Sequence, residues 1–120
     1  MRIEFYLTTE KFVEAHKNSV KELWGEMYKE VLSEYKKFHG TSSKSDGSIK
    51  INLQSIHEEF RCNLIYNLYA IIVHETLHSA IGNEETDTIV QHCIIYDIQN
   101  ALFPGTVDKN TIDWYLIKDW

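Results

Sequence analysis

The stretch LYAIIVHETLH, residues 68–78, lies at the centre of a segment that predicts a long buried helix. No glycine or proline occurs in residues 56–81, and the residues before His74 form an uninterrupted apolar run. An apolar run inside a helical segment indicates a helix that is buried by the rest of the fold. We therefore predict a helix over residues 56–81, either continuous or broken near Arg61, with Gly82 as its C-cap.

The same stretch contains the pattern His-Glu-x-x-His, formed by His74, Glu75 and His78. Residues four positions apart lie on one face of a helix, so both imidazoles can bind one metal ion. Zinc is the expected ion because imidazole suits it and its tetrahedral shell tolerates an open position. Glu75 lies beside the first ligand, where it can take a proton from water as that water attacks a polarised carbonyl group.

A catalytic zinc site usually has three protein ligands, so the pattern requires one more. Glu84 and Glu85 are the only glutamates after Glu75, and both lie in the first turn of a helix predicted over about residues 84–102. We expect Glu85 to be the third ligand and keep Glu84 as the alternative, because Glu84 projects further from the apolar face of that helix.

Two other residues are rival candidates for the third ligand. His92 lies on the flank of its predicted helix, two turns beyond the acidic pair, which argues against it. The stretch of chain between His78 and Asp108 is longer than we expect between two ligands of this site, which argues against Asp108.

The sequence His74-Glu75-Thr76-Leu77-His78 followed by Gly82-Asn83-Glu84-Glu85 resembles that of the gluzincin metallopeptidases. In size and order it is most similar to the small soluble minigluzincins. The resemblance implies zinc as cofactor, hydrolysis of peptide bonds, two histidine ligands, Glu75 as general base and a downstream glutamate as third ligand. It also implies a small sheet whose edge strand holds an extended substrate above the metal. Ser48–Leu53 is our candidate for that strand.

The rest of the chain predicts a small sheet and further helices. Residues 2–7 and 48–53 alternate between apolar and polar side chains, as half-buried strands do. Residues 10–38 have the spacing of an amphipathic helix, and the small polar residues 39–47 predict a loop. We predict one α+β domain over residues 1–120, mostly helical with a small β-sheet, in which the minimal zincin-like catalytic core is an expectation from the resemblance.

The composition limits the partners that the protein can have. Eighteen acidic and twelve basic side chains give a formal net charge of −6, which argues against nucleic acid or an anionic membrane as partner. No segment reaches the roughly 18 apolar residues of a membrane span, and the N-terminus lacks the apolar core of a signal peptide. We expect a cytoplasmic protein that acts on a peptide or protein substrate.

Two alternative functions remain open from the sequence. One is a metal-binding regulatory or scaffold protein without turnover, since a chain of 120 residues leaves little material for specificity pockets. The other is a latent peptidase whose cleft is filled by one end of the chain. The aromatic C-terminal segment, with Trp114, Tyr115 and Trp120, motivates that alternative.

Overall fold

The computed structural model describes residues 2–43, 46–82 and 88–107, to which all structural statements refer. The elements follow in the order β1 (Arg2–Tyr6), α1 (Thr9–Ala15), α2 (Lys17–Trp24), α3 (Tyr28–Glu34), β2 (Gly40–Ser42), β3 (Ser48–Asn52), α4 (Leu53–Glu59), α5 (Leu64–Ile81) and α6 (Thr88–Leu102). This mixture confirms the predicted α+β class, mostly helical with a small sheet. In the described part of the chain, none of the helices combines the length and the apolar character needed to cross a bilayer.

The sheet of the described residues has the strand order β1-β3-β2. Strand β3 pairs in parallel with β1, where Phe5 lies opposite Ile51, and antiparallel with β2, where Gly40 lies opposite Ile51. The strand predicted at Ser48–Leu53 is therefore present at Ser48–Asn52, but its expected edge position is wrong. Strand β3 is central because β2, which lies within the loop predicted over residues 39–47, pairs with the side of β3 that does not face β1.

The core lies between the sheet and α5. Ile49 and Ile51 of β3 and Ile56 of α4 are fully buried, and side chains of α5 pack against them. Burying one such side chain contributes roughly 1.5–3 kcal/mol. The packing fixes α5 against the sheet, and with it the histidines near the C-terminal end of α5.

The helix predicted over residues 10–38 is broken at two points. At Gly25 the backbone has φ = 56°, a conformation that glycine adopts without strain, and α2 ends there. At His16 the chain passes from α1 to α2, and the buried imidazole donates from Nδ1 to the Phe12 carbonyl at 2.8 Å. Its Nε2 lies 2.7 Å from Oγ1 of Thr41, so His16 ties this break to strand β2.

The segment predicted as helical over residues 56–81 is also divided into α4 and α5, with the break near Arg61 that we gave as one alternative. Helix α4 begins at Leu53, earlier than expected, because Oδ1 of Asn52 accepts a hydrogen bond from the Ser55 amide at 3.2 Å. Helix α5 ends at Ile81, with Gly82 as the predicted C-cap. Glu84 and Glu85, Asp108 and the aromatic C-terminal segment lie outside the described residues.

Candidate metal centre

Helices α5 and α6 bring three imidazoles together. His74 and His78 lie on α5 and His92 lies on α6, and one nitrogen from each ring lies within 4.8 Å of the other two. The Nε2 atoms of His78 and His92 are 3.1 Å apart. Three imidazole nitrogens at these separations are close enough to bind one metal ion.

Two glutamines on α6 orient the imidazoles of α5. Nδ1 of His74 lies 2.8 Å from Oε1 of Gln99, and Nδ1 of His78 lies 3.0 Å from Oε1 of Gln91. An amide oxygen only accepts hydrogen bonds, so each Nδ1 carries the proton and each Nε2 presents a lone pair. The amide of Gln99 is itself held, because its nitrogen donates to Oγ1 of Thr106 at 3.1 Å. Such partners fix the tautomer and the ring orientation of metal-binding histidines.

The environment of His74 keeps its imidazole neutral. Burial lowers the pKa of His74 to about 4, and the neighbouring His78 and His92 lower it as well, while the hydrogen bond that Nδ1 of His74 donates to Gln99 opposes this shift. At neutral pH the ring is therefore unprotonated at Nε2, which is the form that binds metal.

Glu75 is buried beside this cluster and lies against β2, one of the two edge strands of the sheet. Its side chain is 7% exposed, and burial raises the pKa of its carboxyl group to about 7. A Cβ atom built on Gly40 of β2 would meet Cγ of Glu75 at 3.2 Å, so the strand passes directly over the carboxylate-bearing side chain. A carboxyl group with a pKa near neutrality can both accept and return a proton at physiological pH.

Two cavities meet at this point. The larger, of about 710 Å³, is bordered by the three histidines, Glu75 and strand β2. The smaller, of about 280 Å³, shares His74, Glu75 and Gly40 with the larger one. A molecule that reaches the imidazoles can therefore place one part along β2 and another in the smaller cavity.

The structure places the residues singled out from the sequence as follows. His74, Glu75 and His78 lie together, and their roles stay predictions. His92 lies beside them, although its position on the flank of the predicted helix argued against it as a ligand. A signal for this was present, because His92, Tyr96 and Gln99 recur at helical spacing and form a polar stripe along the predicted helix. The ring of Tyr96 stacks on that of His92 with centroids 5.3 Å apart.

The donor set of this cluster suits zinc. Neutral imidazole nitrogens are ligands that zinc prefers, and three protein ligands leave the fourth position of a tetrahedral shell open. The three rings are half-buried, with Glu75 on the same helix between two of them. The donor types present therefore fit a zinc ion, which His74, His78 and His92 would hold.

Comparisons of the chain with protein-family models, with curated proteins and with solved structures found no match.

Proposed function

We propose that the protein is a zinc-dependent peptidase in which His74, His78 and His92 hold the ion and Glu75 is the general base. The observation that carries this proposal is the convergence of His92 from α6 on the two histidines of α5, next to a buried carboxyl group. His92 replaces the glutamate expected from the sequence as our candidate for the third ligand.

The proposed chemistry depends on the position of Glu75. When bound, zinc would act as a Lewis acid toward the substrate carbonyl and increase the acidity of water. Glu75, buried on the helix that carries His74 and His78, accepts the proton of the attacking water and passes it to the leaving amine. Gln91 and Gln99 hold two of the imidazoles in the tautomer that this arrangement needs.

A peptide is the substrate class that the edge strand favours. Among the described residues, no strand pairs with the second edge of β2, and this strand borders the larger cavity. The free edge of a strand presents backbone N–H and C=O groups to which an extended peptide can add as a further strand. The small residues Gly40, Thr41 and Ser42 leave room for the peptide beside the imidazoles. This strand takes the substrate-binding role that the sequence assigned to Ser48–Leu53.

Zinc content and peptide cleavage, measured on the same preparations, test the proposal. We expect about one zinc per chain in the wild type, loss of zinc in His74→Ala, and zinc-dependent cleavage of a mixed peptide library read by mass spectrometry. Glu75→Gln should keep its zinc and lose cleavage by about two to four orders of magnitude, the usual contribution of a general base. The matched control is Glu58→Gln, which changes an exposed glutamate of α4.

Each outcome has a definite meaning. Cleavage by Glu75→Gln at the wild-type rate would contradict the mechanism. A protein that binds zinc and cleaves nothing above the Glu75→Gln background would instead be a metal-binding protein without turnover. A wild type with no affinity for zinc would end both interpretations.

A further inference from the structure

We infer that His16 is a positioning residue of the proposed peptidase, which holds strand β2 and Tyr35 in place along the larger cavity so that a peptide can bind there. This inference rests on the proposed function, since it concerns the surface to which the substrate would add. Thr41 of β2 and Tyr35 border the larger cavity, whereas His16 is not among the described residues that border it. His16 therefore acts through its neighbours rather than by touching the substrate.

The imidazole of His16 is fixed by its own helix before it reaches β2. Its ring is 7% exposed and packs edge-on against Phe12 with centroids 4.7 Å apart, and its Nδ1 donates to the Phe12 carbonyl at 2.8 Å. A carbonyl oxygen only accepts hydrogen bonds, so Nδ1 carries the proton. Because burial lowers the pKa of His16, the ring is neutral at pH 7 and Nε2 presents a lone pair. Nε2 therefore accepts a hydrogen bond from the hydroxyl group of Thr41, at 2.7 Å.

Thr41 is the residue through which β2 is anchored. On either side of it, the Ser43 amide donates to β3 at 2.9 Å and the His39 carbonyl accepts from β3 at 2.8 Å. Bonded pairs recur at every second residue of an antiparallel ladder, so the backbone of Thr41 also faces β3, while Gly40 and Ser42 direct their N–H and C=O groups to the opposite edge. A peptide that adds to this edge would bond to the two residues that flank Thr41.

Thr41 and the neighbouring Gly40 hold β2 from opposite faces of the sheet. Successive residues of a strand point to opposite faces, and the hydroxyl group of Thr41 points to His16. On the other face Gly40 lies against Glu75, where an added Cβ atom would be 3.2 Å from Cγ. The strand is thus held between His16 and Glu75, and it borders the same cavity as the imidazoles of the metal centre.

A second contact of His16 supports the same cavity. The ring of Tyr35 lies against that of His16 with centroids 4.6 Å apart, and Tyr35 also borders the larger cavity. One buried side chain therefore contacts two residues of the surface along which the substrate would lie. A hydrogen bond that only stabilised the fold would change the free energy of unfolding and leave the KM for a peptide unchanged, and this difference makes the inference testable.

Replacement of the Thr41 hydroxyl group tests the inference by kinetics. Thr41→Val removes the hydroxyl group and nearly keeps the shape of the side chain, whereas Thr41→Ser keeps the hydroxyl group and is the matched control. The probe is the peptide of the mixed library that the zinc-loaded wild type cleaves fastest. Thr41→Val should raise the KM for this peptide about fivefold, the factor that one hydrogen bond of ordinary strength contributes, with kcat and zinc affinity nearly unchanged. Thr41→Ser should stay close to the wild type.

A double-mutant cycle assigns the effect to His16. His16→Phe keeps a ring between Phe12 and Tyr35 and removes the nitrogen that accepts from Thr41. If the two residues act as a pair, Thr41→Val should raise KM in the wild-type background and change it little in the His16→Phe background. A rise of the same size in both backgrounds would overturn the role of His16.

Amide hydrogen exchange of the metal-free chain, measured by NMR, tests the support of β2 without turnover. The probes are the amides of Ser43 and Asn52, which bond across the β2–β3 pair, and the Ala70 amide of α5 is the reference for the stability of the whole fold. In Thr41→Val the two strand amides should exchange about fivefold faster relative to Ala70 than in the wild type or Thr41→Ser.

The outcomes separate this inference from the proposed function. An unchanged KM in Thr41→Val, an equal rise of KM in Thr41→Ser, or strand amides that exchange as slowly in Thr41→Val as in the wild type would each overturn the role of His16 and leave the peptidase proposal standing. A wild type that cleaves no peptide, together with faster exchange of the strand amides in Thr41→Val, would contradict the peptidase proposal and leave His16 as the support of β2.

Discussion

Gly40 and Glu75 approach so closely that a methyl group on the glycine would lie 3.2 Å from Cγ of the glutamate. The same methyl group would also meet Ile51 and Ile71 at 3.2 and 3.3 Å, so it would be in close contact with three side chains at once. Because strand β2 approaches helix α5 so closely, a larger residue at position 40 fits only if one of these side chains shifts by a few tenths of an ångström. The contact places the edge strand directly over the proposed general base.

Gly40→Ala should reduce peptide cleavage while leaving zinc affinity nearly unchanged. The added methyl group forces either β2 or the Glu75 side chain to move, and overpacking of this kind typically costs about 1–3 kcal/mol of stability. Steady-state kinetics, a zinc-affinity titration and urea unfolding separate these effects. Ser33→Ala, at an exposed position of α3 away from the cavity, is the control and should stay close to the wild type in all three. Full turnover by Gly40→Ala would show that the contact does not position Glu75.

Gln99→Leu should weaken zinc binding by about tenfold to a hundredfold, the usual effect of losing a partner that orients a metal ligand. The substitution leaves Nδ1 of His74 without the acceptor that now fixes its tautomer. Competition with a chromogenic chelator gives the zinc affinity directly. Asn100→Leu alters the neighbouring, exposed position of α6 and should have no effect. An unchanged affinity in Gln99→Leu would mean that the hydrogen bond to Gln99 does not orient His74 for metal binding.

Glu75 should make the metal-free protein less stable as pH rises. Burial raises the pKa of its carboxyl group from 4.5 to about 7, so between these values the folded protein holds a proton that the unfolded chain has released. The free energy of unfolding should therefore fall from about pH 4.5 to about pH 7, by up to about 3 kcal/mol, since one pKa unit corresponds to about 1.4 kcal/mol.

Urea unfolding of the metal-free wild type and of Glu75→Gln at several pH values measures this effect. His74 titrates in the same range with the opposite sign, because its folded pKa is lowered, and the comparison of the two proteins largely removes that contribution. The stability of the variant relative to the wild type should increase with pH through this window. A difference that is independent of pH would contradict the burial of an ionisable Glu75.

His16 should make the fold sensitive to acid. Burial lowers the pKa of His16 below its ordinary value of 6.5, so the unfolded chain takes up a proton before the folded protein does. The stability that this residue contributes is present above pH 6.5 and is lost as pH falls from there toward the folded pKa. His16→Gln should flatten this part of the stability profile, whereas His57→Gln, at an exposed position of α4, should not. Identical profiles for all three proteins would contradict the prediction.

The strands show what alternation of side chains can and cannot predict. Strands β1 and β3 carry apolar residues at every second position, so both could be found in the sequence. Strand β2 reads Gly-Thr-Ser and has no such pattern, because it forms by pairing with β3 and by fitting closely over α5. The edge position was therefore assigned to the wrong strand.

The candidate site was predictable in the part that depends on one helix. His74, Glu75 and His78 follow from spacing alone, since they share one turn of α5. The position of His92 depends on how α6 crosses α5, which is a tertiary relationship that no local pattern contains. The break of the first predicted helix has a similar cause, because the buried ring of His16 bonds to Thr41 on β2, far along the chain.

Extended X-ray absorption fine structure at the zinc edge, on protein loaded with one equivalent of zinc, identifies the ligands of the ion. We expect three imidazole nitrogens at about 2.0–2.1 Å and one further light ligand, with one imidazole lost in His92→Ala. Two imidazoles together with a carboxylate that disappears in Glu85→Ala or Glu84→Ala would contradict the assignment of His92. A spectrum without imidazole ligands would contradict the metal centre itself.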